Sequence, residues 1–115
     1  MKFSESLKKN RDFQTVYQNG TSKANRYLVV YILRNQYNKN RLGIAVSKKV
    51  GNSVVRHRIT RLIRESYRLN ESIFDCGLDI VVIARSGAKG KTCQEIESAL
   101  LHLMKKHHVA GKNNG

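Results

Sequence analysis

The segment SKKVGNSVVRHRITRLIRESYR, Ser47 to Arg68, holds seven Lys or Arg and a single acid, Glu65. Val55, Ile59, Leu62 and Ile63 recur within it at helical spacing. A helix built this way must lie half-buried, its aliphatic stripe on a core and its basic stripe outside. The chain around it therefore has to supply a surface for one helix face and leave the other uncovered. Asn52 is placed to cap the helix, which runs to about Leu69.

Stepping about 100° per residue from Arg56 places Thr60, Arg64, His57, Arg68 and Arg61 within an arc of about 140°. Ser66, Val55, Ile59 and Leu62 fall opposite, and Arg58 falls outside the arc near Glu65. On this reading the arc contains no acid. Most charged helix faces are simply solvated. Two properties favour use instead. Arg64 and Arg68 stand at i,i+4, where like charges destabilise a helix by about 0.2–0.5 kcal/mol. The cations are also mainly arginine, whose planar fork bonds phosphate through two N–H groups and stacks on bases. Lys48 and Lys49 add charge before the turn, Gly51 lets the chain bend, and Asn52 with the free N–H groups of the first turn forms a second point that attracts phosphate.

The remaining sequence can supply the core. YLVVYIL and LDIVVIARS read as strands, the second near-continuously apolar and therefore central. Alternation puts Tyr27, Val29 and Tyr31 on one face of the first, with Leu28, Val30 and Ile32 on the other. The polar NQYNKN reads as a hairpin connection to RLGIAVS. NRDFQTVYQNG reads as a short helix capped by Asn10 and ended by Gly20, with Phe13, Val16 and Tyr17 on one face. Thr92 and Glu95 match a capping box opening a last helix, with Ile96, Ala99, Leu100, Leu103 and Met104 inward and Lys105 and Lys106 suiting its C-terminal dipole. The tail AGKNNG reads as frayed. The order is α-β-β-(β)-α-β-α, a two-layer α/β sandwich with a small central mixed sheet. It forms one domain over 1–115 with an ordered core of about 7–108.

Twenty-two Lys and Arg against eight Asp and Glu give a net charge of +14 on 115 residues. Charge on this scale opposes compaction and calls for a polyanionic partner. No apolar run approaches the ~20 residues that span a bilayer, and the first residues lack a signal-peptide core. A cytoplasmic protein without a membrane partner is the expectation. No protein partner is evident. Cys76 and Cys93 form no disulfide framework.

At the basic helix the chain resembles the bacterial ribonuclease P protein subunit. The family pattern is Ser-Lys-Lys, an aliphatic, Gly-Asn, a small residue, Val, Arg-Asn-Arg and a further Lys-Arg. LKKNRDFQTVYQNG, ANRYLVVY, RLGIAVSKK and DIVVIAR resemble its other segments in order, so the likeness runs from about Leu7 to His108. Two positions depart: His57 stands where the family has the central Asn, and Thr60 where it has Lys. The resemblance implies a subunit that binds a large catalytic RNA and the 5′ leader of precursor tRNA. The two together hydrolyse a phosphodiester to release the leader and leave a 5′-phosphate on mature tRNA. Catalysis and Mg²⁺ then belong to the RNA, with no protein catalytic residue and no cofactor intrinsic to the protein. It also implies a left-handed βαβ crossover, against the usual hand. The expected contacts to catalytic RNA are Lys48, Lys49, Asn52, Arg56, His57, Arg58, Arg61, Arg64 and Arg68. Those implied for the leader cleft are Phe13, Tyr17 and Tyr31. Aromatic platforms stack unpaired bases, and the competing reading is that Phe13 and Tyr17 only pack the first helix onto the sheet.

Signs of self-sufficient chemistry are missing from the sequence. The acids are scattered, and His102, His107 and His108 lack the i,i+4 spacing of a helical metal pair. They read instead as complements to the helix dipole. SGAKGK lacks P-loop spacing and reads as a basic loop near RNA.

Overall fold

The computed structural model describes residues 4–111. In chain order the elements are β1 (Ser4–Ser6), α1 (Asn10–Asn19), β2 (Thr21–Ala24), β3 (Leu28–Arg34), β4 (Asn40–Ala45), α2 (Ser53–Asn70), β5 (Leu78–Ala84) and α3 (Cys93–Lys106). The five strands form one mixed sheet in the order β1-β4-β5-β3-β2. The mixed α/β class is the one expected. The expected order allows one extra short strand between the first two helices, and three strands do lie there; β1, before α1, is additional.

The expected hairpin between β3 and β4 does not form. β5 lies between them, antiparallel to β3 and parallel to β4. The reason lies in β5 itself: all its residues but Ile83 are buried. A strand buried on both faces needs a partner on each edge to satisfy its N–H and C=O groups. Five residues, 35–39, separate β3 from β4, and they cross over the strand between at about 4.8 Å per spacing. Asn35 shapes this turn, accepting from the Tyr37 N–H and donating to the Lys39 carbonyl. Parallel β4 and β5 need a long crossover, which α2 supplies.

The sheet separates two apolar clusters. Leu28, Val30, Ile32, Leu42, Ile80 and Val82 point to the side where Ile59, Ile63 and Tyr67 of α2 and Ile96, Leu100, Leu103 and Met104 of α3 complete the main core. On the opposite side Val81 packs with Leu7 and Val16, edged by Phe13, Tyr17, Tyr31, Leu33 and Ile83. α1 thus covers only part of its sheet face.

A buried polar chain ties β1 to the far end of α2. Asn40 donates to the Tyr67 hydroxyl and to the Asp75 carbonyl, and accepts from the Leu78 N–H. Tyr67 meets Ser4 Oγ at 2.7 Å, and Ser4 donates to Glu71. Among the described residues no buried side-chain nitrogen or oxygen lacks a hydrogen-bond partner, as burial demands.

Two terminal readings change. α1 begins at Asn10 itself; Lys9 is the cap residue, in extended backbone with no side-chain bond, and its carbonyl accepts from Asp12 and Phe13. The expected fraying at AGKNNG does not extend to its first two residues. Ala110 is buried and bridges Phe74, and the Gly111 N–H bonds the Ile73 carbonyl. His108, at φ 61°, turns the chain out of α3, so that Val109 bonds back to the Met104 carbonyl and buries its own side chain. Lys112–Gly115, the rest of that tail, lie outside the described residues.

Candidate nucleic-acid interface

Asn52 caps α2 as the sequence indicates, its side-chain oxygen accepting from the Val55 N–H at 3.0 Å. A side chain at Gly51 would put its Cβ 2.6 Å from Val55 Cγ1, so glycine is what lets the cap close. Capping occupies the side-chain oxygen of Asn52. Lys48 and Lys49 stand exposed just before it.

The buried stripe of α2 is Ile59, Ile63, Ser66 and Tyr67. It is turned by about 50° from the stripe read in the sequence, at 100° per residue. Tyr67 is the cause. It is fully buried, 5.3 Å from the Phe74 ring, with its hydroxyl in the Asn40–Ser4 chain, whereas Val55 and Leu62 are only half-buried. The turn moves three residues. Arg56 comes to the buried edge, half-covered, with Nε donating to the Gly51 carbonyl at 3.2 Å. Arg58 joins the exposed face. Glu65 does too: Arg68 donates two bonds to it, at 2.9 and 2.6 Å. The hydrogen bond from Arg68 holds the Glu65 carboxyl below its ordinary range. The basic face therefore does contain an acid, contrary to the helical-wheel reading, and Arg68 is partly neutralised.

His57, Arg58, Arg61 and Arg64 remain exposed. Two shallow grooves run along them. One is lined by Arg58, Arg61, Leu62, Arg64, Glu65 and Arg68, the other by Ser53, Val54, His57, Arg58 and Arg61. Arg58 also donates to the Lys91 carbonyl at 3.1 Å, joining the helix to the basic loop before α3. Thr60 turns inward along the helix, its hydroxyl donating to the Arg56 carbonyl. Such a face can hold the phosphates of a nucleic-acid strand.

The three aromatics expected together do meet. Tyr17 and Tyr31 stand edge to face at 5.1 Å, and Phe13 lies 6.3 Å from Tyr17. Phe13 seats α1 over Gly43, where a Cβ would come within 2.6 Å of its ring. All three are half-buried, so each packs the helix and keeps part of its ring in the open. Burial, with the neighbouring Tyr31, pushes the Tyr17 phenol up, which keeps it neutral. Register places Ala45, Ile83 and Val29 side by side as the next row of this face, each half-buried. Aromatics and row form an apolar strip beside α1. Tyr27 is not on it. It precedes β3, where Asn25 accepts from the N–H groups of Tyr27 and Leu28, and it packs on the main core instead. Strand alternation starts only at Leu28.

Sequence reasoning missed the polar lock at the end of the strip. Arg41 donates two bonds to buried Asp79, at 2.8 and 2.6 Å, and reaches Asp12 of α1 at 3.7 Å. Asn35 also donates to Asp79, and Arg41 lies 5.0 Å from the Tyr37 ring. These residues are paired through the sheet register, which no sequence spacing displays. Of the histidines, His107 makes a half-buried contact, its Nε2 donating to the Val30 carbonyl at 2.8 Å, and His102 Nδ1 meets Asn25 Nδ2 at 3.4 Å. Among the described residues no three His, Cys, Asp or Glu side chains converge as a metal site, and no helix is long and apolar enough to cross a membrane.

Residues 1–108 match the family model for ribonuclease P. The ribonuclease P protein component of Lachnoclostridium phytofermentans is 65% identical over 92% of this chain and 91% of its own. That of Clostridioides difficile is 45% identical over 93% and 95%. Among solved structures, the ribonuclease P protein of Staphylococcus aureus superposes with a TM-score of 0.86 at 44% identity, covering 94% of this chain and 99% of that one. The Thermotoga maritima protein gives 0.82 at 34% identity, covering 89% and 96%. The basic helix, the half-covered sheet and these relatives agree, and the chain belongs to the ribonuclease P protein component family.

Proposed function

We propose that this chain serves as the protein subunit of the ribonuclease P ribonucleoprotein, binding the catalytic RNA and the 5′ leader of precursor tRNA. The observation that carries this is the exposed run of His57, Arg58, Arg61 and Arg64 directly opposite the buried stripe of α2. It fits a phosphate backbone in charge and in the forked geometry of arginine. Lys48, Lys49 and the first turn of α2 extend the surface, with Arg68 as a weaker member because Glu65 competes for it. Arg56 contributes mainly by holding the turn at Gly51.

The leader lies on the strip beside α1, its unpaired bases against Tyr31, Tyr17 and the open edge of Phe13. Such platforms contribute about 1–3 kcal/mol per stacked base. Cleavage is the work of the RNA, and so is holding Mg²⁺. Asp79 and Asp12 are engaged by Arg41, and Glu65 by Arg68. The protein raises substrate affinity and screens phosphate repulsion, and it acts in the cytoplasm, where tRNA precursors are made.

The test is precursor-tRNA cleavage at low Mg²⁺ by the catalytic RNA with and without this chain. Stimulation is expected, and its absence would overturn the reading. Tyr31→Ala should weaken binding of leader-bearing tRNA by roughly 5-fold or more and leave mature tRNA unchanged. Equal weakening on both would return Tyr31 to a packing role.

A further inference from the structure

A groove separate from the α2 face and the strip opens between α3 and the turn that leads into β3. It is an open trough of about 630 Å³, wide enough for one planar ring to lie in it. Asn25, Arg26 and Tyr27 form one wall; Gln94, Ser98 and His102 project from α3 to form the other. The turn is rigid. Asn25 accepts two backbone N–H bonds, donates to the Ala99 carbonyl of α3, and its own carbonyl accepts from Arg85. The Tyr27 ring carries the Lys91 ammonium 5.2 Å from its centroid, and Arg26 is exposed beside it. Glu95 also lines the groove, but Thr92 donates both its N–H and its hydroxyl to that carboxylate in the capping box.

We infer that this groove takes one unpaired nucleotide of the RNA held by α2, its base against Tyr27 and its phosphate at Lys91 and Arg26. The chemistry is complementary: an aromatic wall for a planar base, side chains of Gln94 and Ser98 for its hydrogen-bonding edge beside His102, whose Nδ1 meets Asn25 Nδ2 at 3.4 Å, and cations at one rim. The position is complementary as well. Lys91 bonds Arg58 of α2 through its carbonyl while its ammonium lies over Tyr27, so one residue links the phosphate face to the groove. This inference rests on the RNA-binding reading of α2, and its test separates the two.

The affinity of the full chain for the catalytic RNA is measured for the wild type, Ser98→Trp, Tyr27→Ala and, as a control, Arg64→Ala. Ser98 is exposed on α3, so tryptophan there fills the groove and leaves the core intact. Amide shifts of the ¹⁵N-labelled protein are followed on adding a short single-stranded oligouridylate. Ser98→Trp and Tyr27→Ala should each bind roughly 5- to 100-fold more weakly, the range of one stacked base. The oligonucleotide should shift Tyr27 and Ser98 saturably in the wild type and not in Ser98→Trp. Weaker binding by Arg64→Ala with wild-type affinity in Ser98→Trp would overturn the groove and leave the α2 reading standing. Wild-type affinity in every variant would overturn both. Shifts at the groove with an oligoglutamate peptide but none with oligouridylate would overturn it in favour of an acidic protein partner.

Discussion

At the scale of single residues, Asp79 is the most demanding position in the chain. It is 4% exposed, lies on the strip side of the sheet, and is the one carboxylate to which both Arg41 and Asn35 donate. Burial alone would push its carboxyl up; the bonds from Arg41 and Asn35 and the Arg41 charge outweigh that and hold it below the ordinary 3.8. Folding therefore favours the ionised form. The stabilisation is complete above the unfolded value and is lost as pH falls through the folded one. Asp79→Asn leaves Arg41 half-paired near the core, with only Asp12 at 3.7 Å, and should destabilise the protein by about 3 kcal/mol at pH 7. The gap between wild type and variant should narrow as pH is lowered below about 4. Urea midpoints at pH 7 and pH 3 measure both quantities, and a gap that is constant with pH would show that Asp79 is not the titrating partner.

At the scale of elements, the packing that sets the strip is α1 on β4 through Phe13 and Gly43. A Cβ at position 43 would lie 2.6 Å from Phe13 Cζ and 3.3 Å from Leu7 Cβ, so the ring must move and α1 with it. Gly43→Ala should cost about 1–3 kcal/mol by overpacking. Phe13→Leu in that background should restore part of the stability, a coupling that thermal unfolding of the four-member cycle detects. Strict additivity would mean that the two residues do not meet. The same pair marks where legibility ends. Every long element is readable from its apolar period, and so are both helix caps that use side chains, at Asn52 and Thr92. β1 and β2 are not, because Ser-Glu-Ser and Thr-Ser-Lys-Ala carry no apolar signal and are held by edge pairing alone. Strand neighbours are not readable either: a polar five-residue link looks the same whether it turns back or steps over β5. The basic residues of α2 are legible as a set, but their direction is not, since a buried tyrosine on a basic helix resembles one more exposed polar position until Phe74 and Asn40 are seen beside it.

At the scale of the whole molecule, the question is how a net charge of +14 would serve the two nucleic-acid tracks proposed for different sides of one sheet. α2 sits with α3 on the main-core side, and the strip lies on the α1 side. The two approach each other at one corner. β4 ends at Ala45, a member of the strip row, and only residues 46–52 separate it from the first turn of α2. Lys48 and Lys49 occupy that corner, both exposed, and Val50 is buried and pins it. On the proposed reading their charge serves a strand on either track. The double variant Lys48→Ala, Lys49→Ala should weaken binding both to the catalytic RNA and to a single-stranded leader oligonucleotide. In each case the slope of log K against log salt should fall by about 0.7–0.9 for every phosphate that the variant no longer neutralises. Arg64→Ala should flatten only the catalytic-RNA slope by one such step. If the double variant flattens a single slope, the corner belongs to one track and the protein does not join them there; if it flattens both, the turn before α2 is where leader and catalytic RNA are brought onto one surface.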